Sequence, residues 1–313
     1  MSYINLFFNC VEIKREGDWY IPYRFTQEQR ERYVKELPSF LPRVMDSSGI
    51  ILDFITDQPE ISFEYEADYF TRQFSGLDIY EDGKLEKSIY FSPEQSCRDK
   101  VFYRRRSQEN SRITIYLPVL ARMKLRNFSL GNYLPAVQPK RKLVAYGDSI
   151  TQGMCAARPS LNYVARIARA LDCRFLNQGV GGYWFNEQSL MEPVAGADIV
   201  TVSYGGNDYT YKPDNQVVFR DIKAYFEKAA ALYPSADKYA ITPIWREDLD
   251  IQGRRRYDLI RDVIAQTAQE NGFTVILGND LVPHDVNYYQ DLTIHPNERG
   301  FAWYAQGLLK IIK

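Results

Sequence analysis

The chain has 313 residues, of which 45% are hydrophobic and 25% charged, and its formal net charge is −1. That balance excludes a disordered chain, and the length is enough for two compact domains. A near-neutral surface offers neither nucleic acid nor an anionic membrane an electrostatic hold.

The opening segment MSYINLFFNC is broken by Asn5 and Asn9, is followed by Glu12 and Lys14, and has no basic leader. It does not read as a signal peptide. No window supplies the roughly 18 apolar residues of a membrane helix. Cys10, Cys97, Cys155 and Cys173 form no CxxC pair, so neither a zinc site nor a disulfide framework is expected. The expectation is a cytoplasmic protein with buried, reduced thiols and no metal or cofactor.

From residue 1 to about 135 the chain reads as short strands. ILDFITD, ISFEYEA, GLDIYEDG, KSIYFS, KVFYRRR and RITIYLP alternate apolar and polar residues, the period of an antiparallel sandwich or barrel, with a jelly-roll-like sandwich expected. The Glu-Asp-Gly at 81–83 is a hairpin turn between two such runs, and Thr26 caps a helix over 26–36. Residues 131–142, with two prolines and no periodicity, mark a crossing, giving domains 1–137 and 138–313.

Beyond it, apolar runs at 142–146, 173–177, 198–203, 238–242 and 273–277 alternate with helical stretches near 160–171, 215–232, 254–271 and 298–312. In the first helix Leu161, Val164, Ile167 and Leu171 recur at helical spacing behind Ser160 as cap. This alternation predicts an α/β doubly wound parallel five-stranded sheet, which places its chemistry at the carboxyl ends of the strands.

The first strand ends in AYGDSITQG, with Ser149 at its tip; alone, such a serine reads as a helix cap. The second ends in NQGVGGYWF, whose glycines let backbone approach a ligand but equally make a turn. A phosphate loop is disfavoured, since the GxGxxG form and a Walker lysine are both missing. The third ends in SYGGNDYTY, where Asn207 offers a side-chain amide. His295, in DLTIHPNERG before the closing helix, and His284 are the only imidazoles in the chain. Phe301, Trp303, Leu308 and Ile312 are expected to pin that helix, and His295 with it, to the sheet.

The order GDS, NxGxxG, GGND, HPN at successive strand ends resembles the SGNH, or GDSL, hydrolase superfamily over residues 143 to about 310. The resemblance implies a flavodoxin-like fold and a serine esterase. Ser149 would be the nucleophile and His295 the general base, with an oxyanion hole made by the N–H groups of Ser149 and Gly182 and the amide of Asn207. Acyl transfer needs these parts, because a serine hydroxyl is a poor nucleophile until deprotonated and the tetrahedral oxyanion needs donors fixed in advance. One departure stands out: the position three before the histidine, usually Asp in the superfamily, is Leu292. Asp291 is the first choice to orient His295, Asp285 the second, and a backbone carbonyl in a Ser-His dyad the third. FSGLDIYEDG, with Gly76, Asp78 and Tyr80, resembles the GxDLY domain found ahead of GDSL-like hydrolases.

Tyr183, Trp184, Tyr209, Tyr211 and Trp245 with Arg246 flank the proposed centre. Aromatic faces with a few polar groups suit sugar rings, although they also fill cores. Asp148, Tyr183, Trp184, Asp208, Trp245 and Arg246 are the expected substrate contacts. Short acyl esters, above all an acetylated carbohydrate, are the expected substrates by analogy with two-domain esterases. The alternative is a carbohydrate-binding protein with a degenerate hydrolase domain, which the displaced aspartate would favour. No lid or interfacial helix of a long-chain lipase is visible, and the assembly state stays open, a homo-oligomer included.

Overall fold

The computed structural model describes residues 2–73, 75–156, 158–191, 196–291 and 293–313. The chain divides into two compact units, Met1–Gln138 with Arg158–Ser160, and Pro139–Ala157 with Leu161–Lys313.

The first unit holds two antiparallel sheets. One runs in the order Phe7–Phe8, Ile51–Thr56, Ser111–Tyr116, Ser75–Glu81, Lys84–Phe91, with Tyr133–Pro135 also on Ile51–Thr56. The other runs Glu12–Glu16, Trp19–Tyr23, Arg122–Ser129, Glu60–Asp68, Arg98–Arg104. Leu52, Phe54, Ile79, Ile113 and Ile115 of the first share one core with Ile61, Phe63, Val101, Met123 and Leu125 of the second, which makes the unit a sandwich. Asp82 and Gly83 both have positive φ, as the two-residue hairpin turn after Glu81 requires. Helix Gln27–Glu36 starts at Thr26 with a reciprocal capping box to Gln29. Part of the segment expected to be a crossing is strand: Tyr133–Pro135 pairs with Phe54–Thr56, and the Ala136 N–H donates to the Asp53 carbonyl just beyond it.

Ser160 does not cap the following helix. Its N–H and hydroxyl both donate to buried Asp78, at 3.1 and 2.5 Å, and it accepts from the Tyr80 hydroxyl at 3.0 Å. Asn162 supplies the cap instead, accepting from the Ala165 N–H. Gly76 is confined by the opposite strand, where a Cβ would lie 2.7 Å from the Ile89 carbonyl oxygen.

The second unit is built on a five-stranded parallel sheet. In chain order its strands are Lys142–Gly147, Arg174–Gly179, Ile199–Ser203, Asp237–Ile241 and Thr274–Ile276, and in space they lie in the order 2-1-3-4-5. Leu143, Val144, Ala145, Ile199, Val200 and Val202 are buried on both faces of the sheet, which explains why these strands read as apolar runs without alternation. Helices Tyr163–Ala170, Asn215–Leu232, Ile251–Glu270 and Glu298–Leu309 follow the strands, the last three capped by Asp214, Asp250 and Asn297. In the closing helix Phe301 and Leu308 are buried, as is Ile312 just beyond it, but Trp303 is half exposed and packs edge-on to Tyr288 rather than on the sheet. All four cysteines are free, and only Cys173 is buried; the other three are half-buried, against expectation.

In the first unit, Arg24 and Asp46 are both fully buried and joined at 2.8 Å, with the Ser48 N–H also on Asp46 and the Arg43 carbonyl on Arg24. Removing one partner strands the other charge in the interior. Asp46→Ala is therefore expected to cost about 3–5 kcal/mol in urea denaturation, and a loss below about 1 kcal/mol would contradict this reading of the pair.

Candidate active site

Strand order reverses around Lys142–Gly147, so a crevice opens there at the carboxyl ends of the strands. Gly147 lies level with Gly179 on one side and Ser203 on the other. A Cβ at Gly147 would sit 2.0 Å from Thr151 Oγ1 and 2.7 Å from the Ser203 carbonyl oxygen, so only glycine permits the sharp exit from the strand. The one-turn helix Ser149–Gln152 begins at once, capped by Asp148, whose Oδ1 accepts the Ile150 N–H at 2.9 Å.

Ser149 Oγ lies 2.8 Å from His295 Nε2, although 146 residues separate them. On the far side of the ring, Nδ1 is 2.5 Å from Asp291 Oδ2. The other oxygen of Asp291 accepts the N–H groups of Ile294, His295 and Thr293 at 2.8, 3.0 and 3.2 Å. Three donors on one oxygen wrap the loop around the carboxylate, so an aspartate four residues before the histidine reaches the ring. Leu292, the position usually occupied by Asp, lies outside the described residues. A narrow hairpin holds the loop: Tyr289 bridges Pro296, and the Gln290 N–H donates to the His295 carbonyl. An ionised carboxylate can only accept, so Nδ1 carries the proton in the neutral ring and Nε2 is left to accept from serine. Asp285 instead caps the turn Val286–Tyr288, and His284 stacks on Trp245 with centroids 5.3 Å apart.

Two carboxyls near this pair are driven in opposite directions. Burial pushes Asp148 up to about 6 against the pull of the Ile150 N–H. Burial also opposes ionisation of Asp291, but the hydrogen bonds from the His295 ring and from the backbone of His295 and Ile294 outweigh it, holding that carboxyl well below the usual range.

Beyond the second strand, the Tyr183 N–H closes a turn on the Val180 carbonyl at 3.0 Å, with Gly182 at φ 78° in its third position, where glycine is favoured. Asn207 Nδ2 donates to the Tyr183 carbonyl at 2.9 Å, which fixes the plane of its amide. Two side chains not singled out from the sequence tie the Ser149 turn to this loop. Asn177 donates to the Thr151 carbonyl and accepts the Gly179 N–H, and Gln152 accepts the Gly181 N–H. Both sit inside the GDSITQG and NQG blocks, where their adjacency to Ser149 and the glycines was the available signal.

Several expected substrate contacts have other occupations. Tyr183 and Asp208 are fully buried; Asp208 holds the Phe185 N–H and Lys212, so both shape the loop rather than face a ligand. Trp245 is buried between His284 and Tyr289. Arg246 is forked onto Asp248 at 2.9 and 2.5 Å and donates to Thr210 at 3.2 Å, which occupies its guanidinium. Trp184 is half-buried, stacked on Tyr183 with Lys212 over its ring, while Tyr209 is half-buried and Tyr211 is exposed.

The model of the family described as GDSL-like lipase/acylhydrolase matches residues 145–303. Among solved structures, a salicylyl-acyltransferase, SsfX3, from a tetracycline biosynthetic pathway is 18% identical with a TM-score of 0.81, covering 98% of this chain and 95% of that one. A Bacteroides ovatus protein described as a GDSL-like lipase is 19% identical, TM-score 0.75, with 98% and 94% covered. A family two carbohydrate esterase from Clostridium thermocellum, solved with cellohexaose, is 18% identical, TM-score 0.64, with 86% and 93% covered. No curated protein matches. At these identities the solved structures establish a shared fold.

The opposed shifts yield a measurable consequence. The folded value of Asp148 lies above that of an unfolded Asp, so between about pH 4 and 6 the native state holds the proton more tightly and stability falls as pH rises. Asp148→Asn keeps an oxygen for the Ile150 N–H but cannot ionise. Its stability relative to wild type should therefore rise by up to about 3 kcal/mol between pH 4 and 7.5 in urea titrations; a difference that does not change with pH would refute the burial argument.

Proposed function

The chain belongs to the GDSL-like lipase/acylhydrolase family, and from that premise we propose that it is a serine esterase acting through an acyl-enzyme on Ser149. The observation that carries this reading is the unbroken chain of hydrogen bonds from Ser149 Oγ to His295 Nε2 and from His295 Nδ1 to Asp291. In the forward step the serine oxygen attacks the ester carbonyl while its proton passes to Nε2. Asp291, ionised by its hydrogen bonds, steadies the imidazolium. The carbonyl oxygen, now negative, is received by the N–H groups of Ser149 and Gly182 and by the Asn207 amide hydrogen that does not bond Tyr183. Collapse of the tetrahedral species expels the alcohol, which takes the proton from His295. Water activated by the same imidazole then releases the acid and frees the serine.

The favoured substrates are short acyl esters of carbohydrates, acetyl above all. Support comes from the esterase described with cellohexaose and from the pair Trp184 and Tyr211, whose rings meet edge to face with centroids 6.3 Å apart and stay partly exposed. A second reading replaces water by an acceptor alcohol, giving acyl transfer. It is favoured by the salicylyl-acyltransferase, whose fold matches over nearly the whole of both chains. The two share every step up to the acyl-enzyme.

The test uses 4-nitrophenyl acetate and acetylated xylo- or cello-oligosaccharides, with acid release measured against ester formed on an added alcohol. Ser149→Ala is expected to abolish turnover while leaving the melting temperature within a few degrees. Wild-type turnover no faster than that of the variant would remove the proposal. Asp291→Asn, which keeps the shape of the loop but loses the ionised partner of Nδ1, should lower kcat by about 100-fold or more. It should also flatten the acid side of the stability profile. The depressed carboxyl contributes stability that is complete above the ordinary carboxylate range and lost as pH falls through its folded value. Identical urea midpoints for variant and wild type from pH 6 down to 3 would count against that assignment.

A further inference from the structure

Two of the oxyanion donors proposed above, the N–H groups of Ser149 and Gly182, belong to separate segments. Backbone pairing fixes those segments only up to the strand ends, where the Val180 N–H meets the Gly147 carbonyl at 2.9 Å. Beyond that point the loop runs Gly181–Gly182, the least restrained dipeptide a chain can have. With glycine at both central positions the whole turn can pivot about the strand end at little steric cost, which swings the Gly182 N–H away from Ser149. Something outside the turn must hold it.

The Gln152 side chain is fully buried, and its Oε1 accepts the Gly181 N–H at 2.6 Å. Its own backbone leaves no room for slack: a Cβ on Gly179 would stand 2.3 Å from the Gln152 nitrogen, so loop and helix are in direct backbone contact. On the other side of the turn the Tyr183 carbonyl is held by Asn207. The Gly181–Gly182 peptide is thus gripped one group upstream by Gln152 and one residue downstream by Asn207. Neither grip comes from the sheet.

We infer that Gln152 is a positioning residue of the acyl-transfer reaction, whose carboxamide oxygen sets the orientation of the glycine turn and so the alignment of the Gly182 donor with Ser149. This rests on the reading of Ser149 as nucleophile. It goes beyond that reading in assigning the rigidity of the oxyanion hole to one side chain in the nucleophile's own helical turn.

Gln152→Met removes the acceptor at nearly constant volume, and Gln152→Glu retains an oxygen at the same reach. For the methionine variant kcat should fall about 10- to 100-fold, less than or comparable to the loss of a whole donor, with KM within about threefold. Affinity for a phenylboronic acid, which forms a tetrahedral adduct on the serine, should fall by the same factor as kcat. The glutamate variant should recover most of both. A kcat for Gln152→Met within twofold of wild type overturns the inference. So does a loss confined to KM or melting temperature, or a folded Gln152→Glu as impaired as the methionine variant. Should Gln152→Met not fold, the glutamate variant decides alone, since it must keep kcat within about fivefold. Ser149→Ala run in the same assay separates the two levels. Turnover that survives it sinks the esterase reading and this inference together, whereas turnover that vanishes there but is intact in Gln152→Met sinks only the inference.

Discussion

The centre depends on one carboxylate that makes two kinds of bond. One oxygen of Asp291 gathers three consecutive N–H donors of its own loop, and the other takes the ring of His295. The first set of bonds gives the loop its shape, and the shape places the imidazole; the second fixes which ring nitrogen carries the proton. Without the first, the second would have no geometry to act in, because Gln290 and Asp291 are exposed and Thr293, Ile294 and His295 only half-buried. Charge-assisted hydrogen bonds to the carboxylate give this exposed stretch its shape.

The sheet does the rest of the placing. Parallel register sets Gly147 between Gly179 and Ser203, so the turns that leave the two outer positions each start one strand spacing from Gly147. Ser149, the glycine loop and Asn207 each lie a few residues past a strand end. Steric closeness then removes the remaining freedom: Gly147 and Gly179 are glycines because backbone or a buried side chain already occupies the space a Cβ would take. Ser149, the glycine loop and Asn207 are near one another because the fold brings strand ends together there, not because any local sequence holds them.

Periodicity revealed the parallel sheet, its five strands and its four principal helices, since central strands buried on both faces and capped amphipathic helices leave strong signatures. Strands Glu12–Glu16 and Trp19–Tyr23 do not alternate, since Ile13 is the one apolar residue of the first and the second is apolar or aromatic throughout; Arg122–Ser129 alternates only as far as Arg126, before a register shift with Asn127 at positive φ. Ser149 and His295 were legible through the ordered blocks that hold them. The aspartate offset was visible as an anomaly but not soluble, because whether four residues can span the gap depends on three backbone hydrogen bonds that no spacing rule encodes. Tyr183, Trp245 and Arg246 were read as substrate contacts from their place in loops. In the structure their rings and guanidinium are already engaged by Trp184, His284 and Asp248. Position on a loop says nothing about what the side chain has already found to bond.

The two carboxyls beside the serine and histidine show how environment divides labour between identical groups. Asp148 accepts from the Ile150 N–H and from its own N–H in a buried setting, so its neutral form is favoured up to about pH 6. Asp291 has four donors and partial access to solvent, so its charged form is favoured far into acid. Under the proposed mechanism a positive His295 ring needs a partner that is already negative and already in contact, and Asp291 meets both conditions. Asp148 does its work as a cap, steering the backbone of Ser149 and Ile150, and for that an uncharged oxygen suffices. Carboxyls whose titrations are pushed apart in this way can be sorted into charge-bearing and shape-bearing roles, and here the sorting follows from counting the donors each one meets.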